Sequence, residues 1–196
     1  MKTNFILFAD NLICKYNDLN KNELEKINYG LEGIYLSITK IIIMFFISII
    51  LKITKSFILI LIFFNIIRYF SFGFHAKNSL QCLILSTLNF LVLPYFLLKI
   101  NYSFNFYLFS LIFFNFVFLL FAPADTVKRP LHSKKKRIIR KSCTLILSII
   151  YSIYILINNN YFSKILFISL MIEVILVNPL TYYIFSSPYN NYKKQA

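Results

Sequence analysis

The chain is poor in glycine and in acid, with three glycines and seven Asp or Glu in 196 residues, against 21 Lys or Arg. Apolar residues make up 59%, a balance that excludes an ordinary soluble domain and points to the bilayer as solvent. The sequence also lacks H-E-x-x-H, G-x-S-x-G and G-x-x-x-x-G-K-[ST]. A zinc peptidase, a serine hydrolase and a nucleotide-driven pump are thereby left without their parts. The cysteines, Cys14, Cys82 and Cys143, are odd in number and form no C-x-x-C. Neither a disulfide framework nor a zinc site is indicated, no cofactor is called for, and reduced cytosolic thiols fit better. The N-terminus shows no cleavage signature, since Asp10 and Asp18 sit where an apolar core should continue; the expectation is that it is retained.

What is present is a series of six apolar runs, residues 34–51, 56–72, 80–98, 104–121, 143–157 and 161–185. The second and fifth fall short of the ~20 residues a helix needs to cross hydrocarbon, so four to six crossings are expected. Backbone polar groups cannot stay unpaired in lipid and the runs show no period-two alternation, so the fold class is an all-α membrane helix bundle. We expect a single membrane domain over 1–196, with amphipathic cytoplasmic-face helices in 1–33, the bundle in 34–185 and a cytoplasmic tail in 186–196. The N-terminal part carries two helical apolar stripes, Phe5, Phe8, Leu12 and Tyr16, then Leu24, Ile27, Leu31 and Ile34. These helices either lie on the leaflet or cap the bundle.

Basic residues near span ends stay cytoplasmic. With six crossings and the N-terminus inside, the cytoplasmic segments hold sixteen Lys or Arg against four on the other side (Lys52, Lys55, Lys99, Lys164), with Lys40 inside the first run. Both termini are therefore expected in the cytoplasm. The net charge of +14 reads as topology and attraction to anionic lipid, not as a nucleic-acid footprint, because the basic residues flank apolar runs.

Between the second and third runs lies the break S-F-G-F-H-A-K-N-S, in which Gly73 can supply a positive φ for a turn. Asn78 and Gln81 resemble a capping box, placing the next helix start at Asn78 or Ser79, with a kink expected at Pro94. His75 and Cys82 on one straight helix would be separated by about 10 Å along the axis. With the helix starting later, His75 sits on the loop and folds back over the first turn, where Cys82 lies. Backbone N–H groups, the helix dipole and a nearby imidazolium favour a thiolate there, making the two a candidate nucleophile and its acid/base partner. Packing is the competing role for such a cysteine and amphipathic filling for such a histidine. Cys14 and Cys143 have no nearby histidine and read as structural, and His132 belongs to the basic loop.

The second landmark is F-A-P-A-D-T-V-K-R-P-L-H-S-K-K-K-R-I-I-R-K, residues 121–141. Pro123 and Pro130 should end helical structure, Asp125 should cap the turn or pair locally, and the basic run is either a topology signal or a docking surface for an acidic partner. Glu173, deep in the last run, is a candidate polar anchor between helices.

R-Y-F-S-F-G-F-H-A-K-N-S-L-Q-C at 68–82, with A-P-A-D-T at 122–126, resembles the accessory gene regulator B (AgrB) family of membrane cysteine endopeptidases in Gram-positive quorum sensing. Arg68, Gly73, His75, Cys82, Glu32 in Y-G-L-E, Lys128 and Arg129 fall in that family's register; Phe72 departs from it, standing where a first glycine of a Gly-Gly pair is common. The resemblance implies an enzyme that cleaves the acidic C-terminal tail from a small AgrD-type propeptide. Cys82 forms an acyl-enzyme thioester with help from His75, and a cysteine of the peptide then closes a thiolactone ring. It also implies a homodimer in the cell membrane with its site at the cytoplasmic face. Arg68 would contact substrate carboxylate or oxyanion, or pair with Glu32; Glu32 would orient His75 or hold Arg68; Lys128 and Arg129 would receive the acidic tail or simply set topology. The alternative function is a membrane transporter or adaptor that handles a peptide without cutting it.

Overall fold

The computed structural model describes residues 21–74, 76, 78–126 and 131–189. Among these no strand is formed, and the helices are α1 (Lys21–Ile50), α2 (Thr54–Ser71), α3 (Ser79–Leu97), α4 (Phe104–Phe121), α5 (Lys134–Ile157), α6 (Tyr161–Val177) and α7 (Pro179–Ile184). Of these, 5 are long and apolar enough to cross a membrane, α1 through α5, so this is an all-α, multi-pass membrane protein as its composition requires.

The chain forms two compact units, residues 1–50 and the remainder from Leu51. In the first, α1 runs unbroken for 30 residues. Residues 21–33, expected as a separate amphipathic helix, are thus continuous with the first apolar run. Gly30 and Gly33 do not interrupt it, because an isolated glycine in a helix costs only about 1 kcal/mol and the apolar segment beyond them is long. The preceding stretch, including Cys14 and the first expected amphipathic helix, lies outside the described residues.

In the second unit α6 is the central helix. Ile165, Ile168, Ser169, Leu170, Ile172 and Glu173 are all fully buried, so it is covered on every side, as expected of a helix apolar all round. It packs against α2, α5 and α4. The outer helices invert the soluble pattern: α4 turns Phe109, Ile112, Phe113 and Phe116 outward, and α5 does the same with Ile146, Ile150 and Ile153. With lipid outside there is no hydrophobic drive between helices, and polar contacts hold them in register. Asn115 of α4 accepts from Ser148 at 2.7 Å and donates to Ser152 at 3.0 Å, both on α5. Ser169 of α6 donates to the Ile60 carbonyl of α2 at 3.4 Å, and Ser56 of α2 bonds Tyr161 of α6 at 2.7 Å.

Proline and asparagine shape two boundaries, and a third lies further back than its apolar run. Pro94 has no N–H and crowds the carbonyl four residues back. A π turn at Leu88–Val92 absorbs this, with Leu93 N–H reaching Leu88 O, where the sequence suggested a simple kink. The run 161–185 is not one span, because Asn178 and Pro179 divide it into α6 and α7; Asn178 accepts from Leu180 N–H at 2.9 Å and Pro179 starts the new helix. The run 143–157, expected to be short, extends back to Lys134 and gives a helix of 24 residues. Much of the basic stretch is accordingly helix and not loop.

Candidate active site

The break between α2 and α3 is set by backbone geometry. Phe72 has φ 61° and Gly73 φ 113°, two consecutive residues in conformations that L side chains avoid. At Gly73 glycine is required, because a Cβ would collide with Arg68 Nη1 and come within 3.0 Å of the Leu176 carbonyl. Phe72 occupies its strained position with compensation, since the Arg140 guanidinium lies over its ring at 4.3 Å. The same arginine donates to the Tyr69 carbonyl at 2.6 Å.

Three backbone bonds hold the break in place. Gly73 N–H donates to Ala124 O, Ala124 N–H to Ser71 O and Phe74 N–H to Leu176 O, each at 2.8 Å. The A-P-A-D segment, whose Ala122–Pro123 bond is cis, therefore pairs with the turn as a short parallel bridge. Asp125 lies 3.0 Å from Arg137 of α5, as an ion pair that is close but not aligned as a hydrogen bond. Arg137 also donates to Pro123 O at 3.1 Å. On the other side the Phe74 ring meets Tyr182 edge-on at 5.6 Å and stacks on Phe185 at 5.0 Å. Tyr182 in turn donates to Ala124 O at 3.3 Å.

Arg68, on the last turn of α2, fastens this loop to the bundle. Its Nη2 donates to Phe74 O at 2.5 Å and its Nη1 lies 3.4 Å from Glu173 of α6. Ser71 also donates to Glu173. The carboxylate is fully buried and the Arg68 side chain is 12% exposed, so each charge has its partner where water is scarce. The partner that the structure supplies for Arg68 is Glu173. Glu32, proposed from sequence, has a side chain outside the described residues.

The start of α3 matches expectation, at Ser79 with Asn78 as N-cap, but Asn78 makes no side-chain cap bond, so the capping box does not form. Cys82 N–H donates to Asn78 O at 3.0 Å, which places Cys82 at the end of the first turn. Its side chain lines a cavity of about 260 Å³ between α2 and α3, together with Arg68, Asn65, Ser86 and Asn89 on the polar side and Phe64, Phe90 and Leu176 on the apolar side. Phe74 and Ala76 also line it. His75 falls between them in sequence and lies outside the described residues, as do Lys77, Lys128 and Arg129. Cys143, on α5, is not part of the cavity. Among the described residues no cluster of His, Cys, Asp or Glu could hold a metal ion.

Of the residues singled out from sequence, the structure brings Arg68, Gly73 and Cys82 to one place. Ser86 and Asn89 were missed. Their signal was available, because four and seven residues after Cys82 they share its helix face. Glu173 as Arg68's partner and Tyr182 as a support of the loop were legible only in three dimensions.

Comparison with known proteins covers most of the chain. The family model described as Accessory gene regulator B matches residues 7–177. An AgrB-like protein of Clostridium acetobutylicum is 33% identical over 174 residues, covering 87% of this chain and 82% of the relative. An AgrB-like protein of Listeria innocua is 32% identical, with 95% and 92% covered. The accessory gene regulator protein B of Staphylococcus aureus (strain JH9) is 29% identical, with 85% and 88% covered. No solved structure matches.

Proposed function

The chain belongs to the accessory gene regulator B family, and from that premise we propose that it is a membrane cysteine endopeptidase acting on a small AgrD-type propeptide in quorum sensing. The observation that carries the reading is the position of Cys82 on the first turn of α3, lining a cavity with Arg68, Phe74 and Ala76. A thiol so placed is open to a peptide, the first condition a thiol nucleophile needs.

The Cys82 thiolate attacks the carbonyl joining the signal segment to the acidic tail. The C–N bond breaks, His75 gives its proton to the departing amine, and a thioester to Cys82 remains. A thiol of the peptide then displaces Cys82, forming the ring thioester and returning the enzyme thiol. Exchange of one thioester for another is nearly balanced in energy, whereas water would divert the acyl group to a linear acid. Apolar walls such as Phe64, Phe90 and Leu176 serve the reaction by limiting water. Arg68 is committed to Phe74 and Glu173, so its part is to hold the loop that carries His75. The basic residues opening α5, Lys134, Lys135 and Lys136, with Lys128 and Arg129 before them, form the receiving side for the acidic tail at the cytoplasmic face. We place both termini in the cytoplasm and the working form as a homodimer.

Co-expression with the propeptide tests this. The native chain should release the tail and Cys82→Ala should abolish release while folding normally. Undiminished processing by Cys82→Ala would instead support a transporter or adaptor.

A further inference from the structure

Ser86 and Asn89 stand on the cavity-facing side of α3, inside an apolar helix, and neither makes a hydrogen bond among the described residues. Asn115, by contrast, spends both ends of its amide on Ser148 and Ser152, and Asn65 donates to Leu61 O at 2.7 Å. Both are half-buried, and a primary amide and a hydroxyl facing an open cavity from an apolar helix are placed to pair with whatever occupies it. Asn89 also belongs to the π turn Leu88–Val92, a local widening of the kind common at functional sites.

We infer that Ser86 and Asn89 are a subsite for the main chain of an extended peptide, namely the segment on the acyl side of the bond cut at Cys82. This deepens the endopeptidase reading and rests on it. Cys82, Ser86 and Asn89 follow one another along one helix face, and Asn89 lies about 10 Å beyond Cys82 along the axis. An extended chain rising about 3.3 Å per residue covers that length in about three residues. An asparagine amide offers both a donor and an acceptor, which matches the N–H and C=O of a single peptide residue. A peptide at this depth has the complementary need, since its own backbone groups find little water. The direction follows from charge. The acidic tail would pay heavily to enter an apolar-walled cavity, so it leaves toward the basic start of α5 and the uncharged acyl segment fills the cavity. Holding that segment straight until the tail departs postpones ring closure until the thioester exists.

The test uses the full-length protein in lipid vesicles with two synthetic propeptides, one unmodified and one N-methylated at the third residue on the acyl side. Asn89→Leu should lower kcat/KM for the unmodified peptide by roughly ten-fold, as expected for a lost buried hydrogen bond. It should leave the melting temperature unchanged or raised, because an amide that makes no hydrogen bond among the described residues is replaced by an apolar group. Ser86→Ala should give a smaller loss of the same kind. N-methylation should slow the native protein by a similar factor and add little to the loss in Asn89→Leu. Full activity in Asn89→Leu with normal acylation of Cys82, fully multiplicative losses, or a drop in melting temperature that accounts for the lost activity would each overturn the subsite while leaving the peptidase reading intact. Failure of the native protein to acylate Cys82 would overturn both.

Discussion

At the scale of single residues, the turn before Cys82 carries a conflict between side chain and backbone. Phe72 holds φ 61°, which costs a non-glycine residue about 1–3 kcal/mol, and recovers part of this through Arg140 over its ring at 4.3 Å. Replacing it by alanine removes the compensation but keeps the strain, whereas glycine removes both. Phe72→Gly should therefore be more stable than Phe72→Ala by about 1 kcal/mol, the reverse of the usual order in regular structure, as read from thermal unfolding in detergent. Equal stability of the two variants would show that the backbone is relaxed at this position. The sequence exposed half of this. Gly73 announced a turn, but the positive φ of Phe72 was hidden, because no propensity scale places an aromatic residue there without the tertiary bonds from Ala124 and Leu176 to its neighbours.

At the scale of helices, hydropathy located the apolar runs, and the start of α3 at Ser79 was readable from the polar break. Hydropathy could not tell a lipid-facing helix from a central one, since α4 and α6 are both apolar all round and only packing separates them. Glu173 was the clue to the difference, a carboxylate tolerable at that depth only inside the bundle and beside a cation. It joins α6 to α2 through Arg68 and Ser71. Glu173→Ala leaves Arg68 with a buried, uncompensated charge and should destabilise the bundle by about 3–5 kcal/mol. Glu173→Leu with Arg68→Met together should recover most of the stability but not the tail-releasing activity, because Phe74 loses its tether. If the double substitution is as unstable as the single one, the pair is not the strut described here.

At the scale of the whole molecule, the second unit is a bundle with an apolar exterior and polar fastenings within, and the basic residues cluster at the start of α5. The basic start of α5 faces an unfavourable helix dipole, and anionic headgroups or an acidic peptide tail offset that. Single cysteines placed at Lys135 and at Lys99 in a cysteine-free background should react with an impermeant thiol reagent from opposite sides, Lys99→Cys in intact cells and Lys135→Cys only in inverted vesicles. Labelling of both from one side would contradict the proposed placement of the site at the cytoplasmic face. The sequence offers an orientation through the charge near span ends, which the labelling experiment tests. The cavity was not legible there, because it arises where α2, the turn after it and α3 meet Leu176 of α6, far away in sequence.

The most direct test of the central claim is mass spectrometry of the native protein incubated with its propeptide and quenched in acid. A mass increase equal to the signal segment, mapped to the peptide containing Cys82, removed by hydroxylamine and absent in Cys82→Ala, is the result this account predicts. Tail release without any adduct on Cys82, or an adduct mapped to Cys143, would contradict it.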